Sequence, residues 1–199
     1  MNGKSWLKYF AQVIESEREL RKQSGLGTSP KDSDWTSFMQ GVMNTVADMM
    51  NCEVTHLRPK DKARSGEYLS IDAFFVDKEA FQNKAVDYDP FVLPRAIVEL
   101  ENSYNINKIS YCLWKILCVR VPIRVLICYQ SNSGKVKELR QHLEKVVQDG
   151  QLMKDDNGDL LVIIGDESVK NYKSYFDDFF SVFEWQNNKL EIITRRVLP

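Results

Sequence analysis

Arg95-Ala96-Ile97-Val98-Glu99-Leu100-Glu101-Asn102 is followed, one helical segment later, by Ile123-Arg124-Val125-Leu126-Ile127-Cys128-Tyr129-Gln130. Both runs are short and almost continuously apolar, the pattern of strands covered on two faces rather than one. Between them, Ile106 to Val119 carries its apolar residues at Ile109, Cys112, Leu113, Ile116 and Leu117. That spacing predicts a helix of about three to four turns, stopped before Pro122. A strand, helix, strand unit of this length implies two parallel strands joined by a right-handed crossover. The chain is therefore expected to be an α/β protein with a mixed sheet flanked by helices.

Working back toward the N-terminus, EYLSIDAFFVD (67–77) and EVTHLR (53–58) read as two further strands, joined as a hairpin by the turn-rich segment PKDKARSG. Before them, Trp6, Leu7, Phe10, Val13 and Ile14 mark an amphipathic helix running to Lys22, with Ser5 as its N-cap. Gly25, Gly27 and Pro30 interrupt the pattern, and Ser33 or Asp34 then caps a second, more apolar helix to about Met50. Toward the C-terminus, Gly134 to Val147 reads as a helix, Asp159 to Gly165 as a buried strand, Tyr172 to Phe183 as a helix, and EWQNNKLEIITRR as a closing hairpin. The expected organisation is one domain over 1–199: an N-terminal helical extension (1–34), a core (35–130) and a C-terminal helix and strand part (131–199).

Three acids stand out against this apolar framework. Side chains alternate along a strand, so Glu99 and Glu101 share a face with Ile97, while Val98 and Leu100 face oppositely. Asp72 lies in the middle of the apolar run SIDAFF. Burying a lone carboxylate costs several kcal/mol, and neighbouring acids repel one another. A bound cation removes both costs, and a hard ion such as Mg²⁺ is satisfied by one or two carboxylates, water and phosphate oxygens. The competing reading pairs Asp72 with Arg58 or a nearby lysine and leaves Glu99 and Glu101 on the solvated face of an edge strand.

In type and order these residues resemble the PD-(D/E)xK nuclease superfamily, the restriction-endonuclease-like fold. That family places an Asp on the second strand of a meander and a (D/E)-x-K tripeptide on the third, followed by a crossover helix. Asp72 and Glu99-Leu100-Glu101 match those positions, and the resemblance covers roughly 35–130. It implies that Asp72 and Glu99 ligate Mg²⁺ or Mn²⁺ together with the Leu100 carbonyl, and that Glu101 ligates the metal or orients the attacking water. Glu101 stands where the family's usual lysine would be. Lys108, at the start of the following helix, is the expected replacement. By the same resemblance the protein is a metal-dependent nuclease acting on DNA. A catalytically inactive domain of this fold, binding nucleic acid or protein, is the alternative. Homodimerisation follows by analogy, because cutting two strands takes two sites.

Composition narrows the field further. With 43% hydrophobic and 11% aromatic residues the chain has enough apolar content for an ordinary core and is not of the disordered class. A formal charge of -1 excludes a uniformly basic protein that coats nucleic acid through bulk charge, leaving only a localised basic surface. MNGKSWLKYFAQ has no signal-like apolar core and no run approaches a membrane span, which points to the cytoplasm and away from membranes.

Cys52, Cys112, Cys118 and Cys128 form no C-x-x-C pair and read as buried, reduced thiols. His56 and His142 are too separated for a His-based metal site. Ser133-Gly134-Lys135 lacks the earlier glycine of a phosphate-binding loop. Asp166 and Glu167 read as a helix N-cap or as acids near a strand end. The basic segments Arg58–Arg64 and Arg195-Arg196 are solvated turns or backbone contacts for nucleic acid, and Trp114 and its neighbours are expected in the core.

Overall fold

Alternation along the central strands sorts their side chains onto two faces, and each face recruits its own helices. Val98, Val125, Ile127, Leu161 and Ile163 point to one side, Ile97, Leu126, Leu160, Val162 and Ile164 to the other, and all are buried. The computed structural model describes residues 2–24, 34–56, 70–79, 93–153 and 158–193. Its strands are β1 (Cys52–His56), β2 (Ala73–Asp77), β3 (Ala96–Glu101), β4 (Ile123–Gln130), β5 (Asp159–Asp166), β6 (Phe180–Gln186) and β7 (Lys189–Ile193). They form one seven-stranded mixed sheet in sequence order. β3, β4 and β5 are parallel, and the pairs outside them are antiparallel.

The helices are α1 (Gly3–Gln23), α2 (Trp35–Met49), α3 (Ile106–Leu117), α4 (Ser133–Asp149) and the single-turn α5 (Tyr175–Phe179). On one face Trp6 and Phe10 of α1 and Met39 and Val42 of α2 pack with Phe176 of α5. On the other, Ile109 and Leu113 of α3 pack with Leu139 and Leu143 of α4. The result is three layers with the sheet in the middle, held by two hydrophobic cores. α1 is built into the first core, where Phe10 packs edge-on against Phe176 and Phe180. Trp35 and Tyr129 tie α2 to β4 by a buried hydrogen bond, Trp35 Nε1 donating to the Tyr129 hydroxyl at 3.0 Å. Among the described residues no helix is long and apolar enough to cross a membrane.

The strand, helix, strand unit around β3 and β4 has the expected register, Glu99 opposite Leu126 and Glu101 opposite Cys128. Arg124, fully buried on the α3 side, closes that helix: its Nε donates to the carbonyls of Ile116 at 3.1 Å and Val119 at 2.9 Å.

Four expectations are corrected. α1 begins at Gly3 and its N-cap is Asn2, whose side chain accepts the Ser5 N–H, so Ser5 lies inside the helix. The segment 172–183 holds only the short α5 before β6 begins at Phe180, because Phe180, Val182 and Glu184 alternate against β5. β6 then turns into β7 through Asn187 and Asn188, both at positive φ, as a two-residue hairpin requires. Asp34 occupies the N-cap position of α2 without capping it, since its carboxylate is paired with Arg21 instead. Cys118 is exposed, whereas Cys52, Cys112 and Cys128 are buried.

Candidate functional site

Asp72 lies where β2 begins rather than in its middle. The register Ala73 to Val98, Phe74 to Ile97 and Phe75 to Ala96 would carry on to Asp72 opposite Glu99. The chain turns away at Ser70, whose φ is 39°. The Asp72 side chain then does what the next strand carbonyl would have done: Oδ2 accepts the Leu100 N–H at 2.9 Å. The Asp72 N–H in turn donates to Glu99 Oε1 at 3.2 Å. The two acids are thus tied to one another across the end of the β2 and β3 pair.

Glu99 points to the α3 side and is 1% exposed. Lys115 Nζ, from the buried face of α3, donates to Glu99 Oε1 at 2.7 Å and to the Ser70 carbonyl at 3.1 Å. The Cys112 thiol, one helical turn earlier, donates to the same carboxylate. Burial, and next the charge of Asp72, push the Glu99 carboxyl up to about 7 despite Lys115 and Cys112, which act the other way. For Lys115, burial works to lower the ammonium and the bond to Glu99 raises it, with a net rise. The pair therefore keeps Lys115 charged, yet it does not bring Glu99 down to the ordinary carboxylate range.

The remaining expected site residues fall as follows. Glu101, half-buried one pleat beyond Glu99, accepts the Ser103 N–H through Oε1 at 2.7 Å. Leu100 is half-buried and contributes its N–H to Asp72. Lys108 is exposed in the first turn of α3, where its own N–H is capped by Asn105 Oδ1 at 3.3 Å. The cation that reaches the acids is Lys115, seven residues further along the same helix, and not Lys108. A signal for it was present in the sequence: Lys115 follows Cys112 by three and adjoins Ile116, placing a lysine on the apolar stripe of an amphipathic helix.

Among the described residues no group of three or more His, Cys, Asp or Glu side chains is placed to hold a metal. An ion at this end of the sheet would rest on Asp72 and Glu99, with water and phosphate oxygens completing its shell, as Mg²⁺ commonly does. On the opposite face of the sheet Asp72 also borders a cavity of about 450 Å³, including its open mouth, lined by Thr36, Gln40, Met43, Leu100 and Asn102.

Other expected features are structural. Asp166 Oδ1 accepts from the Ser168 N–H and hydroxyl at 2.9 and 2.6 Å, closing the turn after β5, and Glu167 accepts from the Tyr104 hydroxyl. No helix starts there, so neither is an N-cap. His142 Nε2 is hydrogen-bonded to Ser110 Oγ at 2.9 Å between α3 and α4. Ser133-Gly134-Lys135 forms the first turn of α4, capped by Asn132. The segments Arg58–Arg64 and Arg195-Arg196 lie outside the described residues. Trp114 is not a core residue: it is 39% exposed and stacked on Tyr111.

No protein-family model matches this chain, and neither a curated protein nor a solved structure matches it.

Proposed function

We propose that the protein is a cytoplasmic, metal-dependent nuclease that hydrolyses phosphodiester bonds in DNA, on a restriction-endonuclease-like arrangement of its seven-stranded sheet. The observation that carries this reading is the meeting of Asp72, Glu99 and Lys115 at one end of β2 and β3. An acid at the head of one strand, an acid in the next strand and a lysine from the helix that follows are the groups that phosphodiester hydrolysis needs.

Asp72 and Glu99 would hold Mg²⁺ or Mn²⁺, which when bound polarises a phosphate oxygen and lowers the pKa of a bound water. Lys115 fixes the Glu99 carboxylate in place through its 2.7 Å bond. It also keeps a positive charge beside the position where negative charge develops on the phosphate, the electrostatic contribution that is usually largest in such reactions. In this scheme Lys115 takes the part of the lysine absent at Glu101. Glu101, whose second oxygen is not engaged by Ser103, is left to orient the attacking water. Cutting both strands of a duplex would call for a homodimer.

A catalytically inactive domain that binds nucleic acid is the alternative, favoured by the one fact that Lys115 already balances part of the charge on Glu99. A cleavage assay separates the two. With labelled DNA and Mg²⁺ or Mn²⁺, the wild type should cut, while Asp72→Ala, Glu99→Ala and Lys115→Ala should each lose about 100-fold or more in rate. At saturating DNA, Lys108→Ala should retain full rate. Absence of cleavage with either metal, or full activity in Asp72→Ala, removes the nuclease reading.

A further inference from the structure

α3 shows an outward face as distinctive as its buried one. Ile106, Asn107, Lys108, Tyr111, Trp114 and Cys118 are exposed along it. Tyr111 is 55% exposed, and its ring is stacked with Trp114 at 5.8 Å between centroids and 23° between planes. Two large rings held nearly parallel in water have lost part of their burial benefit for no gain to the core, where both would otherwise serve. The helix has no acidic residue: Ile106–Leu117 contains Lys108 and Lys115 and no Asp or Glu, and exposed Arg120 follows it. The rings are also joined to the site, because Lys115 Nζ lies 5.7 Å from the Tyr111 ring centroid and 2.7 Å from Glu99 Oε1.

We infer that Tyr111 and Trp114 form a stacking platform for the bases of an unpaired DNA strand, and that the substrate segment presented to Asp72 and Glu99 is single-stranded. What that strand is presented for rests on the nuclease reading. Every base has a π face, so a pair of exposed rings flanked by cations holds a single strand without reading its sequence. In a duplex those faces are stacked on one another and closed to the protein. Exposed Lys108 and Arg120, before and after the rings along the chain, supply charge complementary to phosphates. A folded protein partner fits the face less well. A stable protein interface buries about 800 Å² on each side, and the exposed apolar surface of α3 amounts to two rings and Ile106.

The test measures binding of fluorescein-labelled oligo-dT and of a blunt duplex in EDTA, which stops cleavage. Wild type should bind oligo-dT more tightly than the duplex. Tyr111→Ala and Trp114→Ala should each weaken oligo-dT binding about tenfold with unchanged melting temperature, while Tyr111→Phe and Trp114→Phe should stay close to wild type. Alanine variants that bind oligo-dT like wild type, phenylalanine variants as weak as the alanine ones, or a wild type that prefers the duplex would each overturn the platform. Aromatic-dependent binding without any metal-dependent cleavage would support the platform and remove the nuclease reading. Asp72-dependent cleavage of duplex with no dependence on either ring would do the reverse.

Discussion

Replacing Glu99 by glutamine tests the electrostatics of the site directly, in metal-free protein. Burial and Asp72 hold the Glu99 carboxyl at about 7 against an ordinary value of 4.5. Below about pH 4.5 the group is protonated in both the folded and unfolded chain and contributes no pH dependence. Between about pH 4.5 and about pH 7 the folded state holds a proton that the unfolded state has lost, so stability falls as pH rises. Above about pH 7 both states are ionised and the loss is complete. At about 1.4 kcal/mol per pH unit the total is about 3 kcal/mol.

Glutamine keeps the shape and the acceptor for Lys115 Nζ and the Asp72 N–H but cannot titrate. The stability of wild type minus that of Glu99→Gln should therefore decline by about 3 kcal/mol across this window and then level off. Equilibrium urea unfolding in EDTA at a series of pH values gives the difference, and taking it against the variant cancels the other titrating groups. A flat difference would mean that Glu99 is not perturbed. A difference that grows with pH would mean that Lys115 dominates and that Glu99 is an ordinary ion-pair carboxylate, which would refute the account of the site.

Two further substitutions examine the framework. A Cβ at Gly165 would meet Phe179 Cε1 and Tyr129 Cδ1, each at 2.6 Å, so Gly165→Ala should destabilise by about 1–3 kcal/mol through overpacking, read as a lowered urea midpoint. Tyr129→Phe leaves the buried Trp35 indole N–H without its acceptor. It should also cost about 1–3 kcal/mol, and thermal denaturation showing no loss would mean that water or another group replaces the hydroxyl.

The parts of the fold that are plain in the sequence are those in which one period dominates. The run Ile123–Gln130 is so uniformly apolar that its strand coincides with β4 residue for residue, and Ile109, Cys112, Leu113 and Ile116 mark the buried stripe of α3. Reading fails where two periods fit the same letters. Phe176, Phe179, Phe180 and Phe183 suit a helix, Phe180, Val182 and Glu184 a strand, and pairing with β5 decides for the strand.

At the site, the pairing of Asp72 with Glu99 was legible from two acids in successive apolar runs, although only Glu99 is buried and Asp72 is exposed. That Asp72 starts its strand instead of occupying its middle was not, since this depends on the turn at Ser70 and on a side-chain bond to Leu100. Lys115 was harder still. Its place on the stripe of Cys112 and Ile116 was the one local signal, and the packing of α3 on the sheet then brings it to Glu99 and leaves Lys108 in solvent.

The bond from Asp72 Oδ2 to the Leu100 N–H has a consequence for changes elsewhere in the chain. It fixes the offset between the two acids through the acid itself, so the spacing of the pair does not depend on the length of chain before Ser70. A change in the length of chain before Ser70 would therefore leave the two carboxylates in the same register. The same economy makes position 72 intolerant in two ways at once, because a residue that cannot accept the Leu100 N–H loses the alignment along with the charge. Asparagine, which retains an acceptor oxygen, is the substitution that removes the charge and keeps the alignment.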